Sequence, residues 1–227
     1  TVDLNNVEAR RINDWYMDCQ RQAIEAPFGN VTLTITDSYF EQIQNAQLTV
    51  GSPDGTVFRG SNVVSGAGSL TVTGTRFESG LSAIQWSGNA NIETSRFVNT
   101  GWINAYGPGT TNIVNSVFRG SSKLSGDINS VRASGGAIVN IKASSLSLLD
   151  SACPAACKSG FGALVATTGG AINLAESALG VGLTAGLGGS SGVILRTAGG
   201  TITADVSSWI QPTQLQPAAD LKAITGQ

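Results

Sequence analysis

The sequence contains no histidine among its 227 residues. That removes the commonest general base and the commonest metal ligand. Cysteine is almost as scarce, with only Cys19, Cys153 and Cys157. Three thiols without histidine do not complete an ordinary four-ligand structural zinc site. Cys153 and Cys157 bracket the stretch CPAAC, and two readings stay open for them. One is a small-loop disulfide in an oxidising compartment; the other is a pair of unpaired small residues. Charged residues make up 12% of the chain, against about 25% in ordinary soluble domains. A net charge of −2 supplies neither the basic footprint of a nucleic-acid binder nor a polybasic membrane patch. No apolar run approaches the ~18 residues of a membrane-spanning helix, and no signal-peptide pattern is visible. No cofactor or metal is expected.

What is abundant is glycine (29 residues), together with serine and threonine, and they recur in register. A hydroxyl residue, any residue, then a large apolar residue forms a repeating unit. The apolar anchors are Phe40, Phe58, Phe77, Phe97 and Phe118, then Leu146, Leu179 and Trp209. The hydroxyl residues two positions earlier are Ser38, Thr56, Thr75, Ser95, Ser116, Ser144, Ser177 and Ser207. The steps between anchors are 18, 19, 20 and 21 residues, then 28, 33 and 30. A second apolar column sits five before the anchor: Ile35, Val72, Ile92, Ile113, Ile141, Leu174 and Ala204. Between the two lie turn residues such as Asp37, Gly74 and Asn115.

Each unit therefore reads as a short strand, a tight bend and a second strand, because an odd spacing of five breaks the period-two alternation of a continuous strand. Internal periods choose between repeat architectures. Units of about 20 residues without a helical stripe fit neither a leucine-rich repeat nor a propeller blade, and fit one coil of a parallel β-helix. The expected fold is all-β: a right-handed parallel β-helix of about eight coils over residues 29–210, a rod on the order of 35–40 Å long. The eight anchors are its expected core.

Residues 1–28 are expected to cap the first coil. Over 5–25, Ile12, Trp15, Tyr16, Cys19 and Ala23 share one helical face, and Asn5 with Glu8 resembles a capping box. An α-helical lid is predicted there. Residues 211–227 lose the repeat and read as a tail or linker.

Three later stretches, VRASGGAI (131–138), VATTGGAI (165–172) and LRTAGGTI (195–202), align without gaps. The stacked units resemble right-handed parallel β-helix repeat proteins over roughly 30–210. The GGAI at 135–138 and 169–172 is similar to one repeat motif of the polymorphic outer-membrane protein family, whose members are autotransported surface adhesins. That family's other motif, Phe-x-x-Asn, does not occur here. The resemblance implies a secreted or cell-surface protein: an adhesin or autotransporter passenger, a phage tail component, or a polysaccharide-active enzyme. The implied partner is a surface protein or glycan of a host or neighbouring cell.

No catalytic set is visible. The acids are scattered, there is no adjacent Asp pair, and Asp37, Asn115 and Glu176 in the turn column do not converge as calcium requires. Binding residues are sought instead beside the anchors. Glu41, Arg59 and Glu78 read as a ladder of alternating charge, while Arg76 and Arg96 stack like charges one coil apart. Arg76 and Arg96, with Glu78 and Glu93 nearby, are the candidate site for an anionic sugar or carboxylate. An ice-binding threonine face is set aside, because the column Thr36, Asp54, Thr73, Glu93, Val114 is broken at its second member.

Overall fold

The computed structural model describes residues 1–10, 13–14, 24–41, 44–45, 62–78, 82–98, 103–119, 128–148, 162–181, 193–197 and 199–212. Within them the protein is all-β with parallel strands, consistent with a parallel β-helix. Apart from the short pair Asn13–Asp14 and Gln44–Asn45, the strands fall into three rows that the chain visits in turn. The first row holds Val2–Asn5, Gly109–Val114, Ala137–Lys142, Ala171–Ala175, Thr201–Ala204 and the later halves of Ile24–Thr36, Asn62–Thr73 and Ser82–Glu93. The second is an eight-stranded sheet: Glu8–Arg10, Tyr39–Glu41, Arg76–Glu78, Arg96–Val98, Val117–Arg119, Ser145–Leu148, Ala178–Val181 and Trp209–Pro212. The third comprises the earlier halves of the three long strands, then Ile103–Tyr106, Ile128–Ser134, Gly162–Thr168 and Val193–Thr197.

The core is a set of columns. Phe40, Phe77, Phe97 and Phe118 are Cα partners in consecutive strands, and Leu146 and Leu179 continue them. Their rings stack at 5.3, 5.0 and 4.4 Å between centroids. The isoleucine-rich column beside them, from Ile35 to Ile141, is fully buried. In the third row Trp86 is buried between its register partners Gly66 and Ala105, two small residues that leave room for the indole. Its Nε1–H donates to the Gly68 carbonyl at 3.2 Å.

The hydroxyl residue explains itself at the bend between the first two rows. The residue before it sits in the left-handed region, with φ of 47° at Asp37, 61° at Gly74, 50° at Thr94, 48° at Asn115 and 51° at Glu176. This turns the following N–H along the coil axis into a buried corner. There it donates to the hydroxyl of the next coil: Ser38 to Thr75, Thr75 to Ser95, Ser95 to Ser116, Ser116 to Ser144, Ser144 to Ser177, at 3.1–3.4 Å. Each hydroxyl in turn donates to the carbonyl two residues back in its own coil, at 2.8–3.0 Å. A buried backbone donor must find an acceptor, and a Ser or Thr hydroxyl accepts and donates at once through one compact group.

Glycine is required where the long strands bend between the third and first rows. Gly68 and Gly88 have φ of +119° and +107°, and a Cβ on Gly88 would lie 2.5 Å from the Gly68 carbonyl oxygen.

Three expectations need correction. The helix over 5–25 is replaced, where the chain is described, by the strands Glu8–Arg10 and Asn13–Asp14, paired in parallel with Tyr39–Glu41 and Gln44–Asn45. Ala9 takes the anchor position over Phe40, and the Val7 N–H reaches the Ser38 hydroxyl at 3.1 Å. Pairing onto a ready sheet edge overrides a weak helical preference. Trp15, Tyr16 and Cys19 lie outside the described residues, as do Phe58, Arg59, Cys153 and Cys157. The step from Phe40 to Phe77 is one coil of 37 residues rather than two, since those residues are direct Cα partners. Trp209 is not core. It is 64% exposed, and Ile210 is the partner of Leu179. The last bend is longer, Ser208 rather than Ser207 accepts from the Ser177 N–H, and the alternation shifts by one.

Candidate lateral binding face

The Cα register of the second row sets two further columns, one before and one after the core anchor. The first reads Glu8, Tyr39, Arg76, Arg96, Val117, Ser145, Ala178, Trp209; the second reads Arg10, Glu41, Glu78, Val98, Arg119, Ser147, Gly180, Gln211. Charge is confined to the first five strands, and the remaining three present small and neutral residues with Trp209 at the end.

Arg76 and Arg96 are direct neighbours across two coils, as their spacing predicts. Arg76 is occupied. Its Nε and Nη2 lie 2.8 and 2.7 Å from Glu78 Oε2, and that oxygen also accepts from the Tyr39 hydroxyl at 3.1 Å. The Arg76 guanidinium also stands over the Tyr39 ring, 5.8 Å from its centroid, in cation–π contact. Arg76, Glu78 and Tyr39 thus form one locked cluster two residues wide and two coils long. Tyr39 was not among the sequence candidates; its position one before the Phe40 anchor was the available signal.

Two of the expected relationships fail. Glu41 lies directly beside Glu78, not separated from it by Arg59, so that ladder of alternating charge does not form. Glu93 is on the first row, around the corner from Arg96, because the left-handed residue Thr94 redirects the chain between them. Arg132 and Arg196 share a third-row column with Ala166 between them, as the alignment of those units implies.

The outer face of the first row carries an asparagine column, six residues before the anchors. Asn112 donates through Nδ2 to Asn91 Oδ1, Asn140 to Asn112 and Asn173 to Asn140, each at 2.9 Å, and the Thr203 hydroxyl closes the run onto Asn173 at 2.7 Å. The amides consume one another's hydrogen-bonding capacity, so this column serves cohesion between coils. On the same side a shallow cleft of about 580 Å³ lies over Thr32, Ser69, Ser87 and Asn89. Its glycines Gly68, Gly88 and Gly109 are already accounted for, since a Cβ at each would strike neighbouring backbone.

Among the described residues no group of three or more Cys, Asp or Glu converges as a metal site, and no helix is long and apolar enough to cross a membrane. The chain matches no family model, no curated protein and no solved structure.

Proposed function

We propose that this protein is a right-handed parallel β-helix rod, secreted or displayed at a cell surface, that acts as an adhesin-like or passenger-like structural element. It binds a surface protein or glycan through the second-row face. The reading is supported by one observation above all: the Tyr39–Arg76–Glu78 cluster and Arg96 project from a sheet whose interior is fully committed to stacking and hydroxyl relays. Rigid elements presenting ordered polar and aromatic side chains are suited to recognition. The repeat's similarity to surface passengers points the same way.

Binding of the full chain to a glycan array and to intact cells tests this. A bulky blocking change on the face, Ser145→Trp or Val117→Trp, should abolish binding, while Asn173→Ala on the first row should not. Binding unaffected by the blocking changes would overturn the assignment of the face.

A further inference from the structure

We propose that Arg96 and Arg119 form the anion-holding centre of this face and receive the carboxylate or sulfate groups of an acidic polysaccharide. The inference rests on the lateral-face reading and deepens it. It starts from a difference between three successive coils. In the first, Arg76 has Glu78 two positions later and is neutralised by it. In the second, Arg96 has Val98 at that position. In the third, the position is itself basic, Arg119, and Val117 precedes it. The column thus runs acid, apolar, base.

Arg96 and Arg119 are both exposed, and neither makes an ion pair among the described residues. Like charges in neighbouring strands destabilise a sheet. Arg76 beside Arg96 escapes this through Glu78; Arg96 beside Arg119 has no such relief. The strands that follow offer only Ser145, Ser147, Ala178 and Gly180. Among the described residues of this row, the acid on the strand beside Arg96, Glu78, already accepts from Arg76 and Tyr39.

The register gives the spacing. Arg96 is the partner of Val117 and Arg119 the partner of Val98, so the two arginines lie on a diagonal of roughly 8 Å between Cα positions, from ~4.8 Å between strands and ~6.6 Å along one. Long side chains reach across such a diagonal. Guanidinium forks match planar carboxylates and sulfates. Val98 and Val117, the latter 40% exposed, fill the other two corners of the rectangle. Two cations and two apolar methyl surfaces complement a charged sugar ring, which is anionic at its substituent and apolar on its ring face. The column continues over successive coils, which suits a polymer better than a single sugar.

Isothermal titration of the full chain with polygalacturonate, dextran sulfate and uncharged dextran tests the proposal. Both or one of the polyanions should bind and dextran should not, and affinity should fall as salt is raised past about 0.1 M, where the screening length is ~10 Å. Which polyanion binds decides between carboxylate and sulfate. Arg96→Gln with Arg119→Gln should weaken binding on the order of tenfold or more, with the thermal transition unchanged or raised. Lys142→Gln, which removes a first-row cation paired with Glu176, should change nothing. Polyanion binding that survives the double substitution would overturn the proposal. So would binding of neutral glycans alone, insensitive to both arginines; that result would leave the lateral-face reading standing. Binding of no glycan or cell by a folded chain would sink both.

Discussion

The backbone N–H of Ser95 points at the hydroxyl of Ser116, 3.2 Å away in the next coil, and Ser116 passes its own proton back to the Val114 carbonyl at 2.9 Å. Both serines are fully buried. Ser116→Ala therefore leaves a buried donor without an acceptor, which costs about 1–3 kcal/mol. Ser116→Thr should cost much less, since Thr75 fills the same role two coils earlier. Urea unfolding of the two variants checks this; equal losses would mean that the hydroxyl relay is not what holds the bend.

Phe97 stands between Phe77 and Phe118, stacked against both at 5.0 and 4.4 Å. Its neighbours are held by their own strands and cannot collapse into the space. Phe97→Ala should lose about 3–5 kcal/mol. Phe97→Leu should lose far less, because Leu146 and Leu179 occupy the same column. A loss below about 1 kcal/mol for the alanine variant would contradict burial within a packed column.

Thr167 points inward from the third row, is 1% exposed, and its hydroxyl has no hydrogen-bond partner. It is the one such buried side-chain atom among the described residues. Valine has nearly the same shape without the polar atom. Thr167→Val should stabilise the protein by about 1 kcal/mol, by removing the desolvation cost of an unpaired hydroxyl. A drop in stability on calorimetry would show that the hydroxyl is satisfied after all.

The last bend supplies a pH response. Asp205 is held below its usual value of 3.8 by hydrogen bonds from the Ser207 and then the Ser208 hydroxyls, with the Glu176 N–H adding to them and desolvation opposing. A depressed carboxyl contributes stability that is complete above its ordinary value and is lost as pH falls through the depressed one. The Glu176 amide resonance should therefore titrate with a midpoint below 3.8, and Asp205→Asn should remove that titration. A midpoint at or above 3.8 would exclude the serine clamp.

The repeat made most of the interior legible, because a coil places like residues over like. Phe77, Phe97, Phe118, Leu146 and Leu179 all stand where the Ser/Thr-x-anchor unit puts them. Two of the errors share one cause. Sequence spacing does not say which candidate unit is skipped or stretched. Thr56-x-Phe58 fits the unit by composition, yet Phe40 pairs with Phe77. Ser207-x-Trp209 fits it too, but an extra residue in the last bend hands the role to Ser208 and Ile210. The helical expectation near the start rests on local periodicity alone; its first residues, Glu8–Arg10, pair instead with the edge of Tyr39–Glu41, and the stripe residues from Ile12 to Ala23 lie outside the described residues. For the binding face, the Arg76–Arg96 contact was visible once the anchors were aligned. The Asn91–Asn112–Asn140–Asn173 run, six before the anchors, and Tyr39, one before Phe40, stand in columns of the same alignment, but neutral residues do not announce an interaction until their hydrogen bonds are seen.

Between first and second rows the connection is two residues in every coil from Asn6–Val7 to Glu176–Ser177, whereas between second and third rows it grows from three residues after Glu78 to thirteen after Leu148. One connection is thus fixed in length from coil to coil and the other is not. Since the columns stay in register while that second length varies, variants that differ widely in length there should keep the same interior, and that connection is the place where foreign peptide can be grafted without altering the ladder.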